Sequence, residues 1–120
     1  MNSLPLSILA AGLGGAFGAA MRFAFLNIGV SGALGIAILN VAGSFGLGFA
    51  LVLLAGRSEV LTVLVTAGLF GGLTTFSTFA ADIVRLGADD LPLTVLYVFG
   101  SVTAAILAFV LGQMVGKAIA

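Results

Sequence analysis

The sequence predicts an all-α integral membrane protein with four membrane-spanning helices, the third of them broken near its middle. Of the 120 residues, 62% are hydrophobic and only 7% are charged, and the mean hydropathy is +1.36. A soluble domain carries about 25% charged residues, so this chain could not cover its surface with polar groups. The charges leave uncharged stretches at 1–21, 23–56, 60–81 and 91–116. Each stretch is long enough to cross a bilayer, which takes roughly 20 residues.

The helix boundaries follow from the local sequence. A proline at position 5 suits a first helical turn, and the lack of a positively charged leader indicates a spanning helix rather than a signal peptide. Polar, glycine-containing loops are predicted at 27–32, 56–59 and 87–90. The predicted spans are 5–25, 32–55, 60–86 with an interruption around 71–75, and 92–116, all within one domain of residues 1–120.

The positive charges are divided evenly between the two predicted sides of the membrane. Arg57 and Lys117 fall on one side, whereas Arg22 and Arg85 fall on the other. Lys and Arg residues near the ends of the spans set the orientation of a membrane protein, and acidic residues contribute little. The even division therefore predicts either insertion in both orientations or an accidental balance in a chain with few charges.

Glycine is enriched, with 18 residues in 120, against a usual share of about 7%. Small residues four positions apart allow the backbones of two membrane helices to approach closely. Because four helices enclose little interior, such pairs predict a homo-oligomer with a glycine-rich interface. The alternative is that they pack within one chain only. The pairs at this spacing are Gly14 and Gly18, Gly68 and Gly72, and Gly112 and Gly116.

Polar side chains within the second and fourth helices are candidates for an ion pathway. Asn40 lies near the middle of helix two, where an unpaired amide would cost on the order of 2–7 kcal/mol. Helix four carries Thr94, Tyr97 and Ser101 at positions i, i+3 and i+7, so they share one face. Such groups either donate to an anion or have other roles. Asn40 could join two helices, and Tyr97 could anchor the helix at the membrane boundary.

The third helix carries the densest group of polar and aromatic residues. Phe76 and Phe79 lie about 60° apart on one helical face, where their positive ring edges could meet a small anion. Core packing of the two rings is the alternative. Asp82 and Arg85 are spaced to form an ion pair at the end of the span, which lowers the cost of burying both. Glycines and hydroxyls at 71–78 predict irregular backbone, which survives at membrane depth only in protein or beside a cavity.

The residue types that are absent exclude several functions. The chain has no Cys and no His, which excludes disulfides, thiolate metal sites and the usual nucleophile–base pairs, so enzymatic activity is not expected. A proton-coupled carrier would lack its titrating group, because no charge is predicted at mid-membrane. A net charge of zero gives no reason to expect a nucleic-acid partner. Neutral donors favour passive passage of a small anion.

Three sequence segments carry a family resemblance. They are GGAFGAAMR at 14–22, NVAGSF at 40–45 and, most specifically, GLFGGLTTFSTF at 68–79. Together with Tyr97 and Ser101 they resemble the Fluc (CrcB) family of fluoride channels over the whole chain. Two positions depart from the family pattern: Asp82 stands where Glu is frequent, and Ile36 follows Gly35 where Thr is frequent.

The resemblance implies a passive fluoride channel of the cell membrane that limits fluoride toxicity. It implies a dual-topology homodimer, in which two antiparallel subunits embedded in lipid form two fluoride pores along their interface. A structural Na⁺ would be held there by the backbone carbonyls of Gly71 and Thr74, with Arg22 and Asp82 at a pore mouth or the interface. The residues implied to line the pore are Phe76 and Phe79 as an aromatic box, Asn40 as an amide donor, and Ser77, Thr78, Tyr97 and Ser101 as polar lining.

Two other functions are alternatives. A small multidrug-type transporter also has about four helices and can insert in both orientations. It needs a membrane-embedded carboxylate for proton coupling, and the first helix here has none. A structural membrane subunit without a pathway of its own is the third reading, and polar rows on three helices argue against it.

Overall fold

Four apolar helical spans make up the computed structural model, which describes residues 2–120. No β-strand occurs in that range. Its longest dimension is 53 Å, enough to cross a bilayer of about 40–45 Å including headgroups. The elements are α1 (Leu4–Ile28), α2 (Gly32–Leu53), α3 (Glu59–Val63), a π-helical segment (Leu64–Phe70), α4 (Gly71–Leu73), α5 (Phe76–Asp89) and α6 (Leu91–Ile119). Elements from Glu59 to Asp89 form the third span, so the four predicted spans are confirmed.

Two predicted loops are shorter than the sequence indicated. Helix α1 continues through Asn27, whose Nδ2 donates to the carbonyl of Phe23 at 2.7 Å and so pairs within its own helix. Helix α5 continues to Asp89, and only Asp90 separates it from α6. The N–H of Asp90 donates to Leu86 O at 2.8 Å, and its carboxylate caps α6 by accepting from the N–H of Leu93 at 3.0 Å. One residue therefore ends one helix and begins the next.

The third span departs from α-helical geometry in two places. Its Leu64–Phe70 segment is π-helical, a rare form that the sequence did not predict and that often accompanies functional sites. The backbone then becomes extended at Thr74 (ψ 160°) and Thr75 (φ −151°, ψ 120°). Gly71 stays helical at φ −63°, so the interruption lies on the threonines and not on the glycine pair.

The glycines of the third span bring α1 close to it. A Cβ added at Gly68 would lie 2.9 Å from the Cα of Gly14, and one at Gly72 would lie 3.0 Å from the backbone nitrogen of Ala19. A Cβ at Gly18 would meet the backbone of Leu69 and Leu73. Backbone packs on backbone here because neither helix presents a side chain at the contact.

Helices α2 and α6 form a second close pair. A Cβ added at Gly112 would lie 3.0 Å from the carbonyl carbon of Phe45, and one at Gly116 would lie 3.0 Å from Cβ of Val52. Gly48 meets the backbone of Phe109 in the same way. All three predicted glycine pairs thus pack within the chain, and the intramolecular alternative accounts for them.

We expect Gly18→Ala to destabilise the fold by about 1–3 kcal/mol, because the added methyl must push α1 away from the third span. Thermal unfolding of the purified protein in detergent measures this. Gly12→Ala is the matched control, since a Cβ at Gly12 has nothing within 4 Å. Equal midpoints for the two variants would contradict the packing argument.

Candidate functional site

The interruption of the third span is held by Asn40 of α2. Its Oδ1 accepts from the N–H of Thr75 at 2.8 Å, and its Nδ2 donates to the carbonyl of Thr75 at 3.0 Å. Both backbone groups of this extended residue need a partner, because lipid offers none. A side-chain amide carries a donor and an acceptor together, so one residue satisfies both. Asn40 therefore links two helices, as one of the two predicted roles required. One of its two amide N–H donors is not used in these bonds.

The carbonyls on the N-terminal side of the interruption have side-chain partners too. Arg22 Nε, from α1, donates to Gly72 O at 3.0 Å. The carbonyl of Phe70 accepts from the N–H of Thr74 at 3.1 Å and from its hydroxyl at 2.9 Å. Arg22 thus reaches from the close α1 contact to a carbonyl near the middle of the third span.

A cluster of hydroxyls begins helix α5. The Oγ1 of Thr75 accepts from the N–H of Thr78 at 3.2 Å and caps the helix. The same oxygen lies 3.2 Å from the Thr78 hydroxyl and 3.3 Å from that of Ser77. The predicted lining residues Ser77 and Thr78 are therefore joined through Thr75.

Three aromatic rings form a row from the surface to the core. Phe76 is 79% exposed, whereas Phe79 is 6% exposed. Their centroids lie 5.8 Å apart with the planes tilted by 44°, and Phe79 lies 5.1 Å from Tyr97 at 39°. Ile36 completes the buried cluster with Phe79 and Tyr97. Core packing, the alternative weighed for the phenylalanines, thus describes Phe79, whereas Phe76 has a free ring face and edge.

Asp82 is buried between two donors. Arg85 Nη2 donates to its Oδ1 at 2.9 Å, and the Tyr97 hydroxyl donates to its Oδ2 at 3.0 Å. The predicted Asp82–Arg85 pair is confirmed. The hydroxyl of Tyr97 therefore donates to a buried carboxylate within the chain. On the same face of α6 as Tyr97, the hydroxyl of Thr94 donates to the carbonyl of Asp90 at 2.6 Å.

A cavity of about 320 Å³ opens beside the interruption. It brings together residues of α2, the third span and α6, and its described lining contains no charged side chain. Of the predicted site residues it contains Asn40, Gly71, Thr74, Phe76, Phe79 and Ser101.

Some predicted residues lie outside this lining, and others were not predicted. Arg22, Ser77, Thr78, Asp82 and Tyr97 do not line the cavity. Ser77 and Thr78 bond to Thr75 of the lining, and Tyr97 packs against Phe79 of the lining. Arg22 bonds to Gly72 and Asp82 bonds to Tyr97, neither of which is a lining residue. Thr66 and Ser44 line the cavity without having been singled out. Thr66 is the one polar side chain between Thr62 and Thr74, and this isolation is only a weak sequence signal for a lining residue. In the structure its hydroxyl donates to Thr62 O at 2.8 Å.

A second cavity of about 490 Å³ lies between α2 and α6. Its wall is formed by small and apolar residues, and Ser101 belongs to both cavities. The remaining lining residues are Ala37, Ile38, Val41, Ala42, Phe45, Gly100, Ala104 and Ala108.

Comparison with known proteins establishes the family. The family described as "CrcB-like protein, Camphor Resistance (CrcB)" matches residues 9–113 of the chain. This chain belongs to the CrcB family. The match includes the interruption, Asn40 and the aromatic row, so the whole site lies within the CrcB part of the sequence. With four spans, this CrcB protein is a multi-pass integral membrane protein.

Named relatives of this CrcB protein are similar over most of their length. "Fluoride-specific ion channel FluC 1" of Rhodococcus jostii is 37% identical, with 93% of this chain and 85% of the relative covered. "Fluoride-specific ion channel FluC 2" of Natronomonas pharaonis is 40% identical, with 95% and 97% covered. "Fluoride-specific ion channel FluC" of Methylobacterium sp. is 39% identical, with 84% and 73% covered.

We expect Tyr97→Phe to lower stability by about 1–3 kcal/mol, because it leaves a buried oxygen of Asp82 without a donor. The penalty should shrink when Asp82 is already replaced by Asn. A double-mutant cycle on thermal unfolding in detergent measures this coupling. Additive effects of the two substitutions would show that the hydroxyl does not hold the carboxylate.

Proposed function

We propose that this CrcB protein is a fluoride-selective channel that exports fluoride passively across the cell membrane and so reduces fluoride toxicity. The observation that carries the proposal is the uncharged cavity beside the interruption, where Asn40 and the exposed ring of Phe76 lie together. The three relatives named as fluoride-specific ion channels support the choice of ion. Such a protein is a channel and not an enzyme.

Neutral donors suit conduction of a small anion. Phe76 offers a positive ring edge, and Asn40 keeps one amide N–H beyond its bond to Thr75. Phe79, Ser77, Thr78, Tyr97 and Ser101 would complete the lining, in line with the family resemblance. Several weak contacts in series let an ion leave as readily as it enters.

An antiparallel homodimer in the lipid bilayer is the proposed assembly. Phe76 is 79% exposed on a single chain, and a second copy packed on this ring would close the cavity on that side. Arg22 and Asp82 would then lie at a pore mouth or near the interface. The balance of positive charges supports insertion in both orientations, because Arg57 and Lys117 lie at one membrane end, whereas Arg22 and Arg85 lie towards the other.

A structural Na⁺ at the dimer interface is part of the proposal. Gly71 and Thr74 both line the cavity, and Thr74 leaves helical geometry there. Backbone carbonyls can replace the hydration shell of an alkali cation. Residues 2–120 contain no group of three or more His, Cys, Asp or Glu side chains that could hold a metal, so the backbone is the fitting donor. When bound, the ion would supply one fixed positive charge between the subunits.

A small multidrug-type transporter is not favoured. Proton coupling needs a membrane-embedded carboxylate on the transport path. The described lining of the cavity beside the interruption contains no carboxylate. The named relatives are ion channels.

The purified protein in liposomes should release trapped fluoride and retain chloride, as read with ion-selective electrodes. Phe76→Ile should lower the fluoride flux by tenfold or more, because it removes the ring edge from the cavity; that factor corresponds to about 1.4 kcal/mol of lost anion stabilisation. Empty liposomes give the background rate.

Phe23→Ile is the control for this substitution, since Phe23 is 71% exposed on α1 and lies away from the cavity lining. It should conduct at the wild-type rate. Equal chloride release by the wild type would refute fluoride selectivity. Unchanged flux through Phe76→Ile would remove the ring-edge mechanism.

Dual topology can be tested with single cysteines at opposite ends of the helices, because the chain has none of its own. Ala55→Cys and Ala88→Cys place exposed thiols at the two ends. In intact cells, a membrane-impermeant maleimide should label about half of each variant, since each end faces outwards in one of the two orientations. Complete labelling of one variant and none of the other would mean a single orientation.

A further inference from the structure

Four carbonyls at the interruption, those of residues 71–74, have lost the N–H partners that a continuous helix would supply. Gly71 and Thr74 are two of them. In an α-helix the carbonyl of residue i accepts from the N–H of residue i+4. The partner of Gly71 O would be the N–H of Thr75, and the partner of Thr74 O would be the N–H of Thr78. The first of these N–H groups donates to Asn40 Oδ1 at 2.8 Å, and the second donates to Thr75 Oγ1 at 3.2 Å.

We infer that the side chains of Asn40 and Thr75 are positioning residues that keep the carbonyls of Gly71 and Thr74 open for an alkali cation. Each side chain removes one N–H that would otherwise occupy one of the two oxygens. This inference rests on the sodium site proposed above and adds which residues create it. Asn40 then has a role distinct from contact with the anion.

Three carbonyls beside these two have hydrogen-bond partners. Phe70 O accepts two bonds from Thr74, and Gly72 O accepts from Arg22. Thr75 O accepts from Asn40 Nδ2. Gly71 O therefore lies between two occupied carbonyls, and Thr74 O lies next to a third.

The same bonds keep the backbone from closing. Without the acceptor on Asn40, the N–H of Thr75 would be left unpaired and away from water, which is costly. The N–H of Thr75 could regain a partner if the preceding helix continued by one turn, so that it donated to Gly71 O. Loss of the Thr75 hydroxyl would release the N–H of Thr78 towards Thr74 O in the same way. Either change would remove an oxygen from the cation.

The test measures how sodium stabilises the dimer in detergent. Thermal unfolding is followed while NaCl replaces N-methylglucamine chloride at constant ionic strength. A cation that binds only the folded protein raises the midpoint as its concentration passes the dissociation constant. The wild type should show this rise. Asn40→Leu and Thr75→Ala should lose the rise in midpoint or need at least about tenfold more sodium to show it. A tenfold change corresponds to about 1.4 kcal/mol of binding free energy.

Two variants are controls that separate positioning from general stability. Thr75→Ser keeps the capping hydroxyl and should keep the sodium response. Asn27→Leu makes the same substitution as Asn40→Leu at an exposed asparagine that bonds only within its own helix, and it should also keep the response. A merely structural role would lower the midpoint equally at every sodium concentration and leave the rise intact.

Each result decides the inference. A wild-type sodium response that persists in both Asn40→Leu and Thr75→Ala would overturn it and leave the cation site standing. Absence of any response in the wild type would overturn the cation site together with the inference, whereas the fluoride flux, measured separately in liposomes, would be unaffected. If Asn40→Leu does not fold, Thr75→Ala against Thr75→Ser decides alone, because these two differ only in the hydroxyl.

Discussion

The site depends on one pair of hydrogen bonds, those that join Asn40 to the backbone of Thr75. Extended backbone inside an apolar protein is costly unless both of its polar groups are paired. The side-chain amide brings a donor and an acceptor from a neighbouring helix in one group. Without the Asn40 amide, a continuous helix would be the favoured conformation of the third span, and the cavity would lose its polar wall.

Close packing of α1 provides the second support. Gly14 lies against Gly68 of the third span, and Gly18 lies against the backbone of Leu69 and Leu73. This proximity lets Arg22 reach the carbonyl of Gly72. The glycines therefore act at a distance from the cavity, by fixing how near the helices approach, and the backbone interruption itself falls on the adjacent threonines.

Phe76 and Phe79 are the same residue type but have different roles in the aromatic row. Phe79 is enclosed by Ile36 and Tyr97, and Tyr97 is oriented by its bond to Asp82. A ring held on several sides is rigid, and it supports Phe76, which lies 5.8 Å away and is open to the cavity. Asp82 reaches both Arg85 and Tyr97.

The sequence alone determined the four spans, their approximate ends and the Asp82–Arg85 pair, because hydropathy and helical spacing are local properties. It also picked out six of the fourteen residues that line the cavity, since polar groups in apolar helices are conspicuous. Tertiary structure decided the rest. Whether Asn40 faces an ion or a backbone, whether glycines pack within the chain, and where the third span opens all depend on contacts between helices. Such contacts join residues 35 to 50 positions apart, and no local pattern encodes them.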